Sequence, residues 1–166
     1  MPLTGGVAES VKLRVIITKD LPSIIGLGPF KAGSAAALPA SVALRLVDMG
    51  AAQLDETELL KPQDVQSFKY SEEKDQWPIQ LPEDFYARAK ASILQLKREG
   101  DSRTMGQLIS ATRDLLIKRV EKIARLLAAS PDLVENNDFM ARLTPEERAL
   151  ARAIDLELIS LLREVL

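Results

Sequence analysis

The residues whose types and spacing could do chemistry crowd into one short stretch. Gly26-Leu27-Gly28 opens like a dinucleotide-binding turn, but Lys31 stands where the third glycine belongs and Pro29 follows the second. No helix is expected to begin there and present free backbone N–H groups to a pyrophosphate. Gly28-Pro29-Phe30-Lys31-Ala32-Gly33-Ser34-Ala35 has the glycine spacing of a phosphate loop, with Ser34 in place of the lysine that would meet the β- and γ-phosphates. The stretch therefore reads as a structural turn, and no cofactor is expected. Phe30, between Pro29 and Lys31, has two readings. Pro29 and Phe30 are a candidate partner anchor, or the ring pins its turn onto a small core.

Acids stand side by side at Asp55-Glu56, Glu72-Glu73, Glu83-Asp84 and Glu146-Glu147. Acid–base catalysis needs two carboxylates converging on a cleft, which adjacency in sequence does not give. Glu83, Asp84, Glu146 and Glu147 fall in expected first turns of helices, where negative charge suits the macrodipole. Arg113, Lys118, Arg119, Lys122 and Arg125 cluster on one expected helix. Lys118, Lys122 and Arg125 share a face at i, i+4, i+7. Arg113, Lys118, Lys122 and Arg125 are the candidate anion contacts. The competing reading is a solvated face, ion-paired with Asp114 and Glu121.

Composition narrows the classes further. The chain of 166 residues has no Cys and no His, which removes thiolates, disulfides, imidazole acid–base work and the usual zinc ligands. No catalytic, cofactor or metal site is expected. The formal net charge of −2 argues against duplex DNA as the main partner, leaving any nucleic-acid contact weak or indirect. No apolar run approaches the roughly 18 residues that suggest a membrane span, and no leader pattern is present, so a cytoplasmic protein is expected. Aromatic residues are only 4%, so the core must be aliphatic.

The elements that would hold these residues fall into two groups. Met1–Ser10 reads as a tail. Val11, Leu13, Val15 and Ile17 alternate with Lys12, Arg14, Ile16 and Thr18, the pattern of a strand with one buried face. Leu21–Ser34 is turn-rich, Pro39 can open a helix that Gly50 closes, and Ala51–Leu54 can return as a strand. Asp55–Pro82, with three prolines and the charged segment Lys69–Gln76, reads as a linker containing one short helix after Pro62. Beyond it the chain is helical: Phe85 to Gly100, a helix of about seven turns capped by Asp101 or Ser102 and carrying apolar residues from Met105 to Leu127, and a last helix opened by the capping box Thr144-Pro145-Glu146-Glu147. The fold class is α+β: a small β-rich module over 1–57, then an all-α bundle domain over 58–166. A module of about 50 residues is marginal alone. The long helix carries adjacent pairs such as Leu115-Leu116 that widen its apolar face. Both features suggest assembly with other chains, although a broad face also suits the buried centre of a bundle. Leu108, Leu115, Leu116, Ile123, Leu158 and Leu162 are the candidate subunit-interface residues.

Leu27-Gly28-Pro29-Phe30-Lys31-Ala32-Gly33, followed by Leu38-Pro39-Ala40-Ser41-Val42-Ala43-Leu44, resembles the small β domain that some subunits of the GINS family of replication-fork scaffolds carry first. Leu81-Pro82-Glu83-Asp84-Phe85-Tyr86 is similar to the start of a helix in archaeal members. Arg119–Leu127 and Leu143–Arg148 look like the family's long helix and the capped helix after it. The resemblance implies an archaeal subunit of the second class, in a heterotetramer with two copies of a first-class GINS subunit. It implies a non-enzymatic scaffold that bridges and activates the MCM helicase ring with a RecJ-like or Cdc-type protein. The alternative, read from the residues alone, is a nucleic-acid-binding module using the basic stripe.

Overall fold

The alternation around Val11–Thr18 folds as expected. In the computed structural model, which describes residues 11–24 and 26–165, strand β1 (Lys12–Ile17) is the centre of an antiparallel sheet. Its neighbours are β2 (Ala35–Pro39) and β3 (Ala52–Leu54), in the order β2-β1-β3. Leu13, Val15 and Ile17 point into the core while Lys12 and Arg14 are exposed. Leu13 faces Leu38, and Val15 faces both Ala36 and Leu54. The tail read over Met1–Ser10 lies outside the described residues. Strand β2 was not expected, because three consecutive alanines carry little strand propensity. It forms because a central strand must pair its backbone groups on both sides.

Helix α1 (Ala40–Asp48) begins straight after Pro39 and buries Ala40, Ala43, Leu46 and Val47. Helix α3 (Phe85–Glu99) completes this core with Ala91, helped by Ala87 and Leu94. Side chains of α3 also satisfy backbone groups. Ser92 Oγ accepts from Leu60 N at 3.0 Å, Gln95 Oε1 accepts from Leu54 N at 2.9 Å, and Arg88 Nε donates to Glu58 O at 2.8 Å. The described residues up to Pro62 and Asp84–Ser110 accordingly form one contact unit.

Gly50 follows α1 in the left-handed region, with φ +67°. A Cβ there would lie 2.2 Å from the Arg98 guanidinium, whose Nη1 donates to Asp48 O at 2.7 Å. Gly50→Ala therefore combines backbone strain with loss of that cap. We expect it to cost about 1–3 kcal/mol in chemical denaturation. Gly33→Ala, at φ +84° with open space around it, should cost less.

The second contact unit is Gln63–Glu83 with the described residues from Ala111 onward. It contains most of α2 (Pro62–Lys74), most of α4 (Ser102–Ala129), a 3-10 turn (Pro131–Glu135), α5 (Asn137–Ala141) and α6 (Pro145–Val165). Its apolar core is Ile123, Leu127, Phe139, Met140, Leu143 and Ala151, with Trp77 edge-on to Phe139 at 5.6 Å. The reading of Asp55–Pro82 as a linker needs correction. Helix α2 runs for 13 residues, with Val65 and Glu72 buried. Pro62 opens this helix instead of marking a spacer, and the charge of Lys69–Gln76 is used for ion pairing.

Candidate functional site

In the turn with nucleotide-loop spacing, the amides of Leu27, Phe30, Ala32, Gly33 and Ser34 are used within the chain. Leu21 and Phe30 exchange backbone bonds at 2.8 and 3.0 Å, and Ile24 and Leu27 at 2.7 and 2.9 Å. Ala32 N donates to Asp20 Oδ1, Gly33 N to Ile17 O and Ser34 N to Lys31 O. Phe30 is half-buried and packs on the β-module core, which is the pinning role, while Pro29 is exposed.

The densest polar constellation lies in the second unit. Arg119 and Lys122 stand three residues apart on α4, so both project towards the C-terminal end of α2. Arg119 is fully buried. Its Nη1 meets Glu72 Oε2 at 2.7 Å and donates to Ile79 O at 2.9 Å. Its Nε and Nη2 bind Glu147 Oε1 and Oε2 at 2.6 and 2.7 Å, a bidentate fork. Lys122 Nζ pairs with Glu72 Oε1 at 2.7 Å and donates to the carbonyls of Glu72 and Asp75. It thereby caps the end of α2, where orphan carbonyls and the helix dipole favour a cation.

Glu147 has a second task. Thr144 N donates to its Oε2 at 3.0 Å, and Thr144 Oγ1 accepts from Glu147 N at 3.3 Å. This is the capping box read from the sequence, closed onto the buried arginine. The four side chains Glu72, Arg119, Lys122 and Glu147 carry two charges of each sign. Each is held by an opposite charge, and the cluster is a tie between chain segments. Glu72, Arg119 and Glu147 were not singled out as a group, because they lie 47 and 28 residues apart and no local spacing connects them. Among the described residues, no cluster of three or more carboxylates gathers as a metal site.

The four candidate anion contacts separate. Lys122 is 9% exposed and committed to α2. Lys118 Nζ pairs with Glu73 at 2.8 Å. Arg113 and Arg125 are exposed. Ion pairing therefore prevails over a free basic stripe at Lys118 and Lys122, through acids of α2 instead of Asp114 and Glu121. Asp114 itself pairs with Lys69 at 3.2 Å.

The Glu73–Lys118 pair is exposed, and each group favours the other's charged form. The hydrogen bond from Lys118 lowers the Glu73 carboxyl below its ordinary value, and the same bond raises the Lys118 ammonium. The carboxyl's contribution is present above its unfolded pKa and lost as pH falls through the lowered folded one. The ammonium's is present below its unfolded pKa and lost as pH rises through the raised folded one. Glu73→Gln should therefore flatten a small acid limb in stability measured against pH, lowering the neutral plateau slightly and leaving the acid end unchanged.

The interface candidates also separate. Leu108, Leu115 and Ile123 are fully buried inside the chain and contribute to its own interior. Their burial corrects the reading that they face a partner. Leu116 is 40% exposed, with Ile109 and Ile117 nearby on α4. On α6 the buried side chains are Glu147 and Ala151, and nothing later in the described helix is buried. Yet the apolar stripe continues at helical spacing through Ile154, Leu158, Leu161, Leu162 and Val165. Leu158 is half-buried and Leu162 is 48% exposed.

A helical bundle with an unfinished apolar stripe is the form of an assembly subunit. The family model of the Sld5 GINS complex protein helical bundle domain matches residues 59–166. This chain belongs to the GINS family. No curated protein matches it. Membership makes it a subunit of the GINS complex of DNA replication, in a family whose members are non-catalytic. Arg119, Lys122, Glu147 and the exposed leucines of α4 and α6 all fall within the matched GINS domain. No helix among the described residues is long and apolar enough to cross a membrane.

Proposed function

We propose that this chain is an archaeal GINS subunit of the class that carries its small β-rich module, residues 1–57, ahead of the helical domain, 58–166. It assembles with a first-class GINS subunit as a heterotetramer, two of each, and acts without catalysis in the cytoplasm. The assembly bridges the MCM helicase and a RecJ-like protein and favours the working conformation of the ring. A scaffold shifts such an equilibrium only through its differential affinity for the two states.

The observation that carries the assembly role is the apolar stripe of α6, beyond Ala151, left without cover in a family of complex subunits. Covering each large aliphatic side chain contributes roughly 1.5–3 kcal/mol at full burial, less for those already half-covered. The order of β-rich and helical elements supports the class assignment. The nucleic-acid reading has less to stand on, because two of its four cations are occupied by acids of α2.

Light scattering of the chain, alone and co-expressed with a first-class subunit, tests the assembly. The expected result is a stable four-chain particle that Leu162→Asp or Leu116→Asp dissociates. A monomer indifferent to that subunit would refute it. MCM binding and helicase stimulation by the intact particle then test the bridging role.

A further inference from the structure

The sheet of the β module is closed on one side and open on the other. At β3, Leu54 N is satisfied by Gln95 of α3. At β2 the pattern of pairing identifies which groups face outward. Ala40 N donates to Val11 O and Ile17 N to Ser34 O, so the pairs Val11/Ala40 and Ile17/Ser34 bond directly across the ladder. In an antiparallel pair, bonded and non-bonded positions alternate. The pairs Leu13/Leu38 and Val15/Ala36 are therefore also bonded, and Arg14/Ala37 and Ile16/Ala35 are not. The N–H and C=O groups of Ala35 and Ala37 consequently point away from β1. Among the described residues neither amide has a partner, and both residues are exposed.

We infer that the β2 edge of the GINS β module receives an extended acidic peptide segment as a fourth strand, paired through the outward backbone groups of Ala35 and Ala37. Such an edge is a template for strand addition. The side chains beside it decide the partner. Ala35 and Ala37 offer only methyl groups on the exposed face. Behind them, Arg14 stands opposite Ala37, and Lys12 opposite Pro39. An incoming strand would lie about 10 Å from β1, two strand spacings away. A glutamate on it can reach over an alanine methyl to either cation. Asp55 N donates to Arg14 O on the far, β3 side, leaving Lys12 as the cation with no acidic neighbour across the ladder. A second copy of this chain fits poorly, since its own β2 edge brings alanines and no acid to Lys12 and Arg14.

The test is fluorescence anisotropy of the full chain with a labelled peptide of roughly eight residues alternating Glu and Val, against its Lys–Val counterpart. Saturable binding of the acidic peptide below about 1 mM, weakened by salt, is expected. Ala37→Pro removes one outward N–H without touching the β1–β2 ladder, and should weaken binding about tenfold while circular dichroism stays unchanged. Lys12→Glu with Arg14→Glu, both surface changes, should transfer preference to the Lys–Val peptide. Protection of the Ala35 and Ala37 amides on peptide addition, read by NMR exchange, would locate the strand. The inference is overturned by equal binding of both peptides, by absence of saturation, by an Ala37→Pro variant that binds like the parent while folded, or by self-association that Ala37→Pro abolishes.

Discussion

Arg119→Met should destabilise the chain by about 3–5 kcal/mol, one of the two largest effects we expect from a single side chain. The substitution leaves the volume nearly filled, so packing loss is small. What it removes is the guanidinium paired with Glu147 and one of two cations paired with Glu72. Two buried carboxylates then lose the guanidinium that replaced their hydration. A loss of that size is a large fraction of a typical stability of about 5–15 kcal/mol. Urea denaturation of the variant and its parent checks it. Glu147→Gln provides a comparison, since the amide retains an acceptor for Thr144 N and gives up the charge. A loss below about 1 kcal/mol for Arg119→Met would mean that water reaches the cluster and the tie is weaker than its distances imply.

Phe139→Ala should cost about 3–5 kcal/mol by cavity formation. The ring is fully buried at the centre of the second unit's core, on a helix of only five residues whose start is held by Asn136 Oδ1 accepting from Phe139 N. So short a helix cannot persist by propensity, and packing of Phe139 and Met140 keeps it in place. Trp77 reports the change directly. It is the sole tryptophan, packed edge-on against Phe139 with the Arg142 guanidinium 5.7 Å from its ring. Its emission should shift on truncation of Phe139 before denaturant is added. An unchanged spectrum together with an unchanged midpoint would refute the assignment of this core.

Much of the fold was legible because its signals are local. The period-two run of β1, Pro39 before α1, the Gly100 cap of α3 and the Thr144–Glu147 capping box each rest on a few neighbouring residues. Strand β2 was not legible, since Ala35–Pro39 carries no alternation of its own and becomes a strand only by pairing with β1. Nor was the ion cluster. Glu72 and Glu73 look alike in sequence, yet one is fully buried and the other exposed, and only the position of α4 distinguishes them. The same holds for Leu115 and Leu116, adjacent on α4 and opposite in exposure. Periodicity identifies an apolar face, but it does not say where the chain's own packing stops and a partner begins.

The place of α3 bears on how this protein can be taken apart. The GINS domain begins at residue 59, yet Ala91 and Leu94 of α3 belong to the core beneath the β-sheet, and Ser92 and Gln95 satisfy Leu60 and Leu54. The helical domain is thus not a bead that can be excised at its family boundary. Expression from residue 59 would strip an apolar face of α3 of its cover, and the β module expressed alone would lack one wall of its core. Gene-level shuffling of the module between subunits would have to carry a matching α3 surface with it, so the two halves are bound to change together.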